Sequence, residues 1–478
     1  MAKLHQLTVE YVKVGTSVRQ IETGYLKQAL FLCLRLLKFV ISQKILQMTE
    51  ERPQQKSGEK IKSSGNRTRG YLSLFGRLDF TRPSYHSDQR GMLYLVDEHL
   101  DMPSTLWSYN IQELVNNNST QINFRASVQT MNSLLNLGLT GTSSERSINY
   151  LGEEVDAYYA QKPIEQPTKA VYYCASFDGK GVPKIKPLDK SKPRETKRLS
   201  KGEKRGIKQM ATVGVISNFE PKPRTVSDIV KGLMEYKQQK PKEEKADNQP
   251  TKNDNRWHQD IHRRAFLADQ DKCINYGIGR IKSMINDPKS LIVVPIDAGI
   301  GLEDKVLAAL KKHGLKDRLA AIILDIIHVS EYVWDCANAV LGESSNLRTD
   351  WVREMLEDLL SSKTRKVIED LKKIVAKTDL SATKKEKIHK AITYFSNHKH
   401  KMDYKTYIEK GYPVSSALVE SNCKHLVKDR MEHSGMRWSS TGAQNMMDMR
   451  AVKLNGDLPD FINFIERKNR KISLAKVA

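Results

Sequence analysis

The sequence predicts an α/β protein, with a helix-covered sheet preceded by a mainly helical region and interrupted late by a long helical block. Three observations carry that expectation. VYYCASFDG (171–179), MATVGVISNF (210–219), SLIVVPIDAG (290–299) and RLAAIILDIIHV (318–329) are rich in β-branched and aromatic residues and read as strands. An amphipathic helix separates the last two, and strand–helix–strand spacing implies parallel pairing in a covered sheet. From Val329 to about Asn397 the pattern is helical throughout, including VREMLEDLLSSKTRKVIEDLKKIVAK.

The remaining elements follow in chain order. Residues 20–48 place apolar side chains at helical spacing, so an amphipathic helix is expected in an N-terminal region 1–49. EERPQQKSGEKIKSSGNRTRG (50–70) is basic and nearly without apolar residues, the composition of a flexible linker. YLSLFGRLDFTRPSY (71–85) alternates around Gly76 and Pro83 as a small hairpin does. INFRASVQTMNSLLNLG ends at Gly138, and Ser143 then caps SSERSINYLGEEVDAYYA. This pair has the layout of a helix-turn-helix, with Ser144, Arg146, Ser147 and Tyr150 near a groove, although plain helical packing gives the same pattern. A densely cationic run (184–208) is either a solvated loop or a clamp on a phosphate backbone. A short helix is expected around 226–236, a flexible insert at 237–255, and a single helix from His258 to about Met284. His258 and His262 would lie on that helix's wet face, and His398 and His400 at the surface.

Charge and cysteine narrow the class. Lys and Arg number 79 against 56 Asp and Glu, a formal net charge of +23 that points to a polyanionic partner, most economically nucleic acid. The five cysteines stand far apart without a Cys-x-x-Cys pair, as expected of a reducing compartment without a zinc cluster. No secretory signal opens the chain. YLKQALFLCLRLLKFVISQKIL is broken by Lys27, Arg35 and Lys38, so no membrane span is expected. GIGL at 299–302 lacks the lysine and full glycine pattern of a phosphate loop, so no nucleotide cofactor is expected.

Residues 411–450, GYPVSSALVESNCKHLVKDRMEHSGMRWSSTGAQNMMDMR, form the most distinctive stretch. Ser415 and Ser416 are candidate N-caps of a helix running to about Glu432. On it Glu420, Lys424 and Lys428 share a face at four-residue spacing. With Asp178 after the first strand and Asp297 after a central one, Glu420 completes a set of three carboxylates. Hard oxygen ligands of this kind suit Mg²⁺ or Mn²⁺, and a pair of such ions ~3.5–4 Å apart is what phosphodiester chemistry uses.

FDG at 177–179, the Asp297 strand end, LDIIHVSEYVW at 324–334 and the block from Val419 to Arg450 resemble, in order, the DDE transposases of the ISKra type. The resemblance covers about residues 70 to 455. It implies an RNase H-like mixed sheet with flanking helices and a helical insertion (329–410) before the last acid, in a catalytic domain at 166–455. A mainly helical DNA-binding region (71–165) precedes it, and 456–478 is a C-terminal tail. It further implies that Asp178, Asp297 and Glu420 are both catalytic residues and the ligands of two Mg²⁺ or Mn²⁺ ions. A bacterial, cytoplasmic, nucleoid-associated enzyme would then bind terminal inverted repeats and, as a homo-oligomer, transfer transposon ends to target DNA. The family shows Asp-Gly at the second acid, whereas here Ala298 follows Asp297, and Asp325 is a rival second ligand. The Asp325-Ile-Ile-His328 element matches one that supports the site in related Mutator-like enzymes.

Lys424, Lys428, Arg437, Trp438 and Arg146 are the candidate DNA contacts. Trp438 has two readings, a stacking platform for an unpaired base or a core anchor. Arg437 has two as well, a phosphate contact or a partner for a nearby acid. A metal-dependent nuclease without strand transfer, or an inactive DNA-binding protein, would share most of these features.

Overall fold

The structure, a computed structural model, describes all residues except 1, 13–14, 49, 168–170, 186–206, 239–256, 378 and 478. Most of the cationic run 184–208 and nearly all of the insert 237–255 lie outside the described residues. The chain is mixed α/β and divides into two compact units. Met1–Lys162 and Asp448–Ala478 make the first, and Pro163–Met447 makes the second.

In the first unit a helix, Val18–Gln47, starts at a capping box. The Ser17 backbone N–H donates to Gln20 Oε1, and the Ser17 hydroxyl accepts from the Gln20 N–H. The helix packs Leu34, Leu37 and Ile41 on Leu78 and Phe80 of a three-stranded antiparallel sheet. Its strands are β1 (Ile61–Ser73), β2 (Gly76–Ser87) and β3 (Gly91–Leu93), in that order. The second half of the expected linker is therefore strand. β1 escapes the alternation rule because Lys62 to Thr68 are all exposed, so no apolar face marks it. The β1–β2 turn lies at Gly76 as expected, where φ is +129°.

The expected helix-turn-helix corresponds to helices Phe124–Leu135 and Gly141–Gly152. Asn136, in the left-handed region, ends the first, and Thr140 rather than Ser143 caps the second, with Ser143 bonding back to it. Ser144 does not face a groove, whereas Ser147 lines one together with Arg146 and Tyr150. Ser144 is buried in a hydroxyl cluster with Ser119, and Ser147 accepts from Asn116 Nδ2. Arg146 and Tyr150 do line a groove, of about 390 Å³, with Thr105, Leu106 and Trp107. The last stretch is no loose tail: the helix Leu458–Val477 packs Phe461 and Phe464 on Tyr158.

The second unit is built on a five-stranded sheet. Its strands are β4 (Tyr172–Lys184), β5 (Ile207–Phe219), β6 (His258–Leu267), β7 (Ile292–Ile296) and β8 (Leu319–Leu324), ordered β6-β5-β4-β7-β8. β4, β5 and β6 pair antiparallel, whereas β4, β7 and β8 pair parallel. Alternate residues go to opposite faces. Tyr173, Ala175 and Phe177 join one core with Ile292, Val294, Ile296 and the helices Gln270–Met284 and Leu302–Lys312. Cys174, Val293 and Ile323 join the other, with the helices Ile326–Leu341, Arg348–Leu360, Thr364–Lys377 and Ala382–His398. That block corresponds to the helical run expected from Val329. Among the described residues no helix is long and apolar enough to cross a membrane.

The single helix expected over 258–284 is corrected to a strand and a shorter helix. Ala268 sits at φ +57°, and Asp269 then caps the helix by accepting from the Lys272 N–H. The strand was hidden because polar residues point inward. His262 bonds Tyr276 Oη at 2.8 Å, and Arg264 lies over the rings of Phe266 and Tyr276. His258 and His262 are therefore not wet helical residues: His258 is half-buried and His262 is buried.

Candidate metal centre

Sheet register brings the acids together. Cys174 pairs with Val293 in parallel, so β4 and β7 run Asp178 and Asp297 toward the same end of the sheet, where the Asp178 charge acts on Asp297. Ile296 pairs with Leu324, so one residue on Asp297 is level with Asp325. Asp178 on β4 and Asp297 and Asp325, each just past the end of its strand, thus meet at one end of the sheet. The chain leaves β7 and β8 at this point, which puts Asp297 in the loop before one helix and Asp325 at the N-cap of the next.

Asp325 is wholly buried, with each oxygen engaged. Oδ1 accepts from the Ile327 N–H at 2.9 Å, and Oδ2 accepts from the Ser416 hydroxyl at 2.6 Å. Its helix carries His328, whose Nε2 lies 3.6 Å from Glu420 Oε1 and 3.9 Å from Asp325 Oδ2, while Nδ1 faces Glu331 at 3.3 Å. Burial works against charge on His328, but Asp325, Glu331 and Glu420 outweigh it and raise the imidazole above its ordinary value.

Glu420 comes from the short helix Ala417–Asn422, four residues beyond Ser416, whose hydroxyl lies 3.4 Å from Glu420 Oε1. Burial pushes the Glu420 carboxyl up to about 7, helped by the Asp325 and Asp178 charges and opposed by His328. Burial likewise raises Asp297, with Asp178 and Asp325 adding to the shift while the Gly299 N–H, 3.1 Å from Oδ1, and His328 oppose it. The like charges act on one another, so all four carboxylates share one electrostatic site.

A π-helical turn, Cys423–Lys428, follows Glu420, and such wide turns are frequent at functional sites. It directs the Cys423 thiol to Asp178 Oδ2 at 3.2 Å, and burial and the Asp178 charge raise that thiol well above its ordinary range. Lys428 is exposed and Lys424 half-buried, and the Lys428 charge acts on Glu432. Arg437 is exposed, whereas Trp438 is 7 % exposed: its indole N–H donates to the Met431 carbonyl and Arg430 covers its ring at 5.1 Å. The stacking-platform reading of Trp438 is corrected accordingly, because a ring so enclosed has no open face for a base; it anchors the core. Arg146 lies in the first unit, outside this centre.

Among the described residues, Asp325, His328 and Glu420 bring one ligand atom each within 4.8 Å of one another and could hold a metal ion. The donor chemistry fits a divalent cation, since a cluster of carboxylates that raise one another's affinity for protons lacks a positive charge at its centre. The set differs from the expected Asp178, Asp297 and Glu420 in drawing on Asp325 and His328. Only Glu420 belongs to both. Ser416 and Cys423 were not expected at the site; Ser416 stood in the sequence only as a helix cap, and its spacing of four from Glu420 is the one signal that connects them. The chain matches no protein-family model and no curated protein sequence.

Proposed function

We propose that the chain is a DDE-type DNA transposase, which binds transposon terminal inverted repeats, cleaves DNA and joins the freed 3′ end to a target. The observation that carries the proposal is the meeting of Asp178, Asp297, Asp325 and Glu420 in one electrostatic site, one on a strand and two just past the ends of parallel strands. The order β6-β5-β4-β7-β8, antiparallel on one side and parallel on the other, supports an RNase H-like core, and the helical block before Glu420 supports the expected insertion. The net charge of +23 suits a DNA partner. So do Lys180 and Lys208, which flank the site's hairpin and meet Glu432.

Two Mg²⁺ or Mn²⁺ ions, when bound, supply the charge that activates water and then a 3′-hydroxyl for in-line attack at phosphorus. Asp178, Asp297 and Glu420 are the residues to hold them. Asp325, both oxygens already engaged, fixes Ser416 and the start of the His328 helix, and His328 Nε2 holds a proton between Asp325 and Glu420. Lys424, Lys428 and Arg437 orient the phosphate backbone. No covalent enzyme–DNA intermediate is required.

A competing assignment has a specific observation behind it: the close approach of Asp325, His328 and Glu420 makes Asp325 the rival second ligand, in a mixed nitrogen and oxygen set that favours Mn²⁺ over Mg²⁺. The test is cleavage and strand transfer by the full chain on linear DNA bearing candidate ends, with Glu420→Ala, Asp297→Asn and Asp325→Asn in parallel. Glu420→Ala and Asp297→Asn are expected to lose cleavage by at least ~100-fold, the scale of an essential transition-state contact, and Asp325→Asn to lose less. Cleavage without joining identifies a nuclease, and full activity in Glu420→Ala removes the assignment altogether.

A further inference from the structure

The helix Val18–Gln47 is apolar on two opposite faces. One face, with Leu34, Leu37 and Ile41, lies on the β-hairpin of the first unit. The other is in water: Val18 is 70 % exposed, Leu36 56 %, Phe39 60 %, Val40 57 % and Leu46 65 %, with Leu26 and Leu32 nearly as bare. An apolar face left in water on a helix already packed along its opposite face marks a surface for a partner.

The exposed face has a period. Val18, Tyr25, Leu32, Phe39 and Leu46 follow one another at seven residues, and Ala29 and Leu36 interleave to give three-and-four spacing. A 3.5-residue repeat is the pattern by which one helix seats in another, knob into hole, and a flat or membrane surface does not require it. Glu22 falls on this stripe near its start, and Arg35, three residues after Leu32 and four before Phe39, borders it midway. The short helix Ala2–Tyr11 meets the first turns, where Tyr11 and Tyr25 stack edge-on. From Ala29 onward the stripe is uncovered among the described residues.

We propose that this face pairs with the same face of a second copy of the chain, helix against helix, around a two-fold axis. The area is of the right order: Val18, Leu26, Leu32, Leu36, Phe39, Val40 and Leu46 together leave an apolar patch on the order of several hundred Å² in water, the scale of the ~800 Å² each partner brings to a stable interface. A two-fold pairing needs only one self-complementary patch, and a face apolar from end to end supplies it. The catalytic reading is not a premise, since every residue involved lies in the first unit.

The test is sedimentation of the full chain over a range of concentrations, for the wild type and for Leu36→Glu/Phe39→Glu. Both positions are more than half exposed, so a monomeric fold tolerates the change. The expected result is a dimer in the wild type and self-association weakened by roughly a hundredfold or more in the variant, with an unaltered circular dichroism spectrum. Should the variant lose its fold, Leu36→Cys in a Cys33→Ser background reads the same face through a flexible bis-maleimide cross-linker. The other cysteines, Cys174, Cys273, Cys336 and Cys423, are buried. A cross-linked two-chain species in dilute protein is then expected. A monomeric wild type, a dimer that persists in the double variant, or a stripe that captures only vesicles or a different protein overturns the proposal.

Discussion

Ser416 illustrates how much of the centre depends on a side chain that carries no charge. Its hydroxyl joins the fully buried Asp325 to the Glu420 segment, so one hydrogen bond fixes the approach of two carboxylates from elements 95 positions apart in sequence. Ser416→Ala leaves a buried carboxylate short of a donor. It is expected to cost about 1.5–3 kcal/mol in urea unfolding, the range for a hydrogen bond to a charged group. Glu420 gives a second expectation. Its carboxyl in the folded, metal-free chain titrates near 7 against an ordinary value of 4.5, so the unfolded chain releases that proton first and stability falls as pH rises from 4.5 through 7. The loss is on the order of 2 kcal/mol after allowance for partial exposure. Chelator-treated protein melted across this range should show the decline, and Mn²⁺ should abolish it above pH 7; a flat profile in chelator contradicts the placement. The positions of the acids, on or just past strands and on a short helix, were legible in the sequence, because β-branched runs and helical spacing mark those elements. Ser416 and Cys423 were not, since their roles come from a register between strands and from a π-helical turn that no residue pattern announces.

At the scale of elements, the sequence was readable wherever one face is apolar. β4, β5, β7, β8 and the helical block after β8 all have such a face and fall where expected. β1 and β6 fail for opposite physical reasons. β1 has no buried face over Lys62 to Thr68, whereas β6 buries polar groups that satisfy one another, Arg264 over aromatic rings and His262 on Tyr276. His258 on β6 yields a measurable consequence. Burial first, and the Arg224 charge second, lower its pKa to about 4, and Ser217 Oγ lies 2.9 Å from Nδ1. Protonation is therefore favoured in the unfolded chain, and stability present above pH 6.5 is lost as pH falls from 6.5 to 4, by on the order of 2 kcal/mol. His258→Gln should flatten that limb of the stability profile. An unchanged acid limb in the variant shows that another group titrates there.

At the scale of the whole molecule, the second unit carries the carboxylate cluster, and the first carries the groove at Arg146 and Tyr150 and an exposed apolar helical face. If DNA is the partner, as proposed, a chain of net charge +23 binds it in a steeply salt-dependent way, because each neutralised phosphate releases counterions. Binding of the full chain to duplex DNA should therefore weaken by ~10³-fold or more between 50 and 200 mM salt, the behaviour of six or more phosphate contacts. An affinity indifferent to salt contradicts a backbone-tracking partner. Composition alone made this expectation legible; how the charge is distributed over the surface was not.

The most direct measurement is Mn²⁺ binding to the DNA-free full chain, followed by electron paramagnetic resonance at pH 7.5. The expected result is bound Mn²⁺ in the wild type, at least ~10-fold weaker binding in Glu420→Gln and in Asp297→Asn, as loss of a ligand should give, and unchanged binding in Asp304→Asn outside the cluster. No Mn²⁺ binding by the wild type, or equal binding by Glu420→Gln, contradicts a metal centre built on these carboxylates.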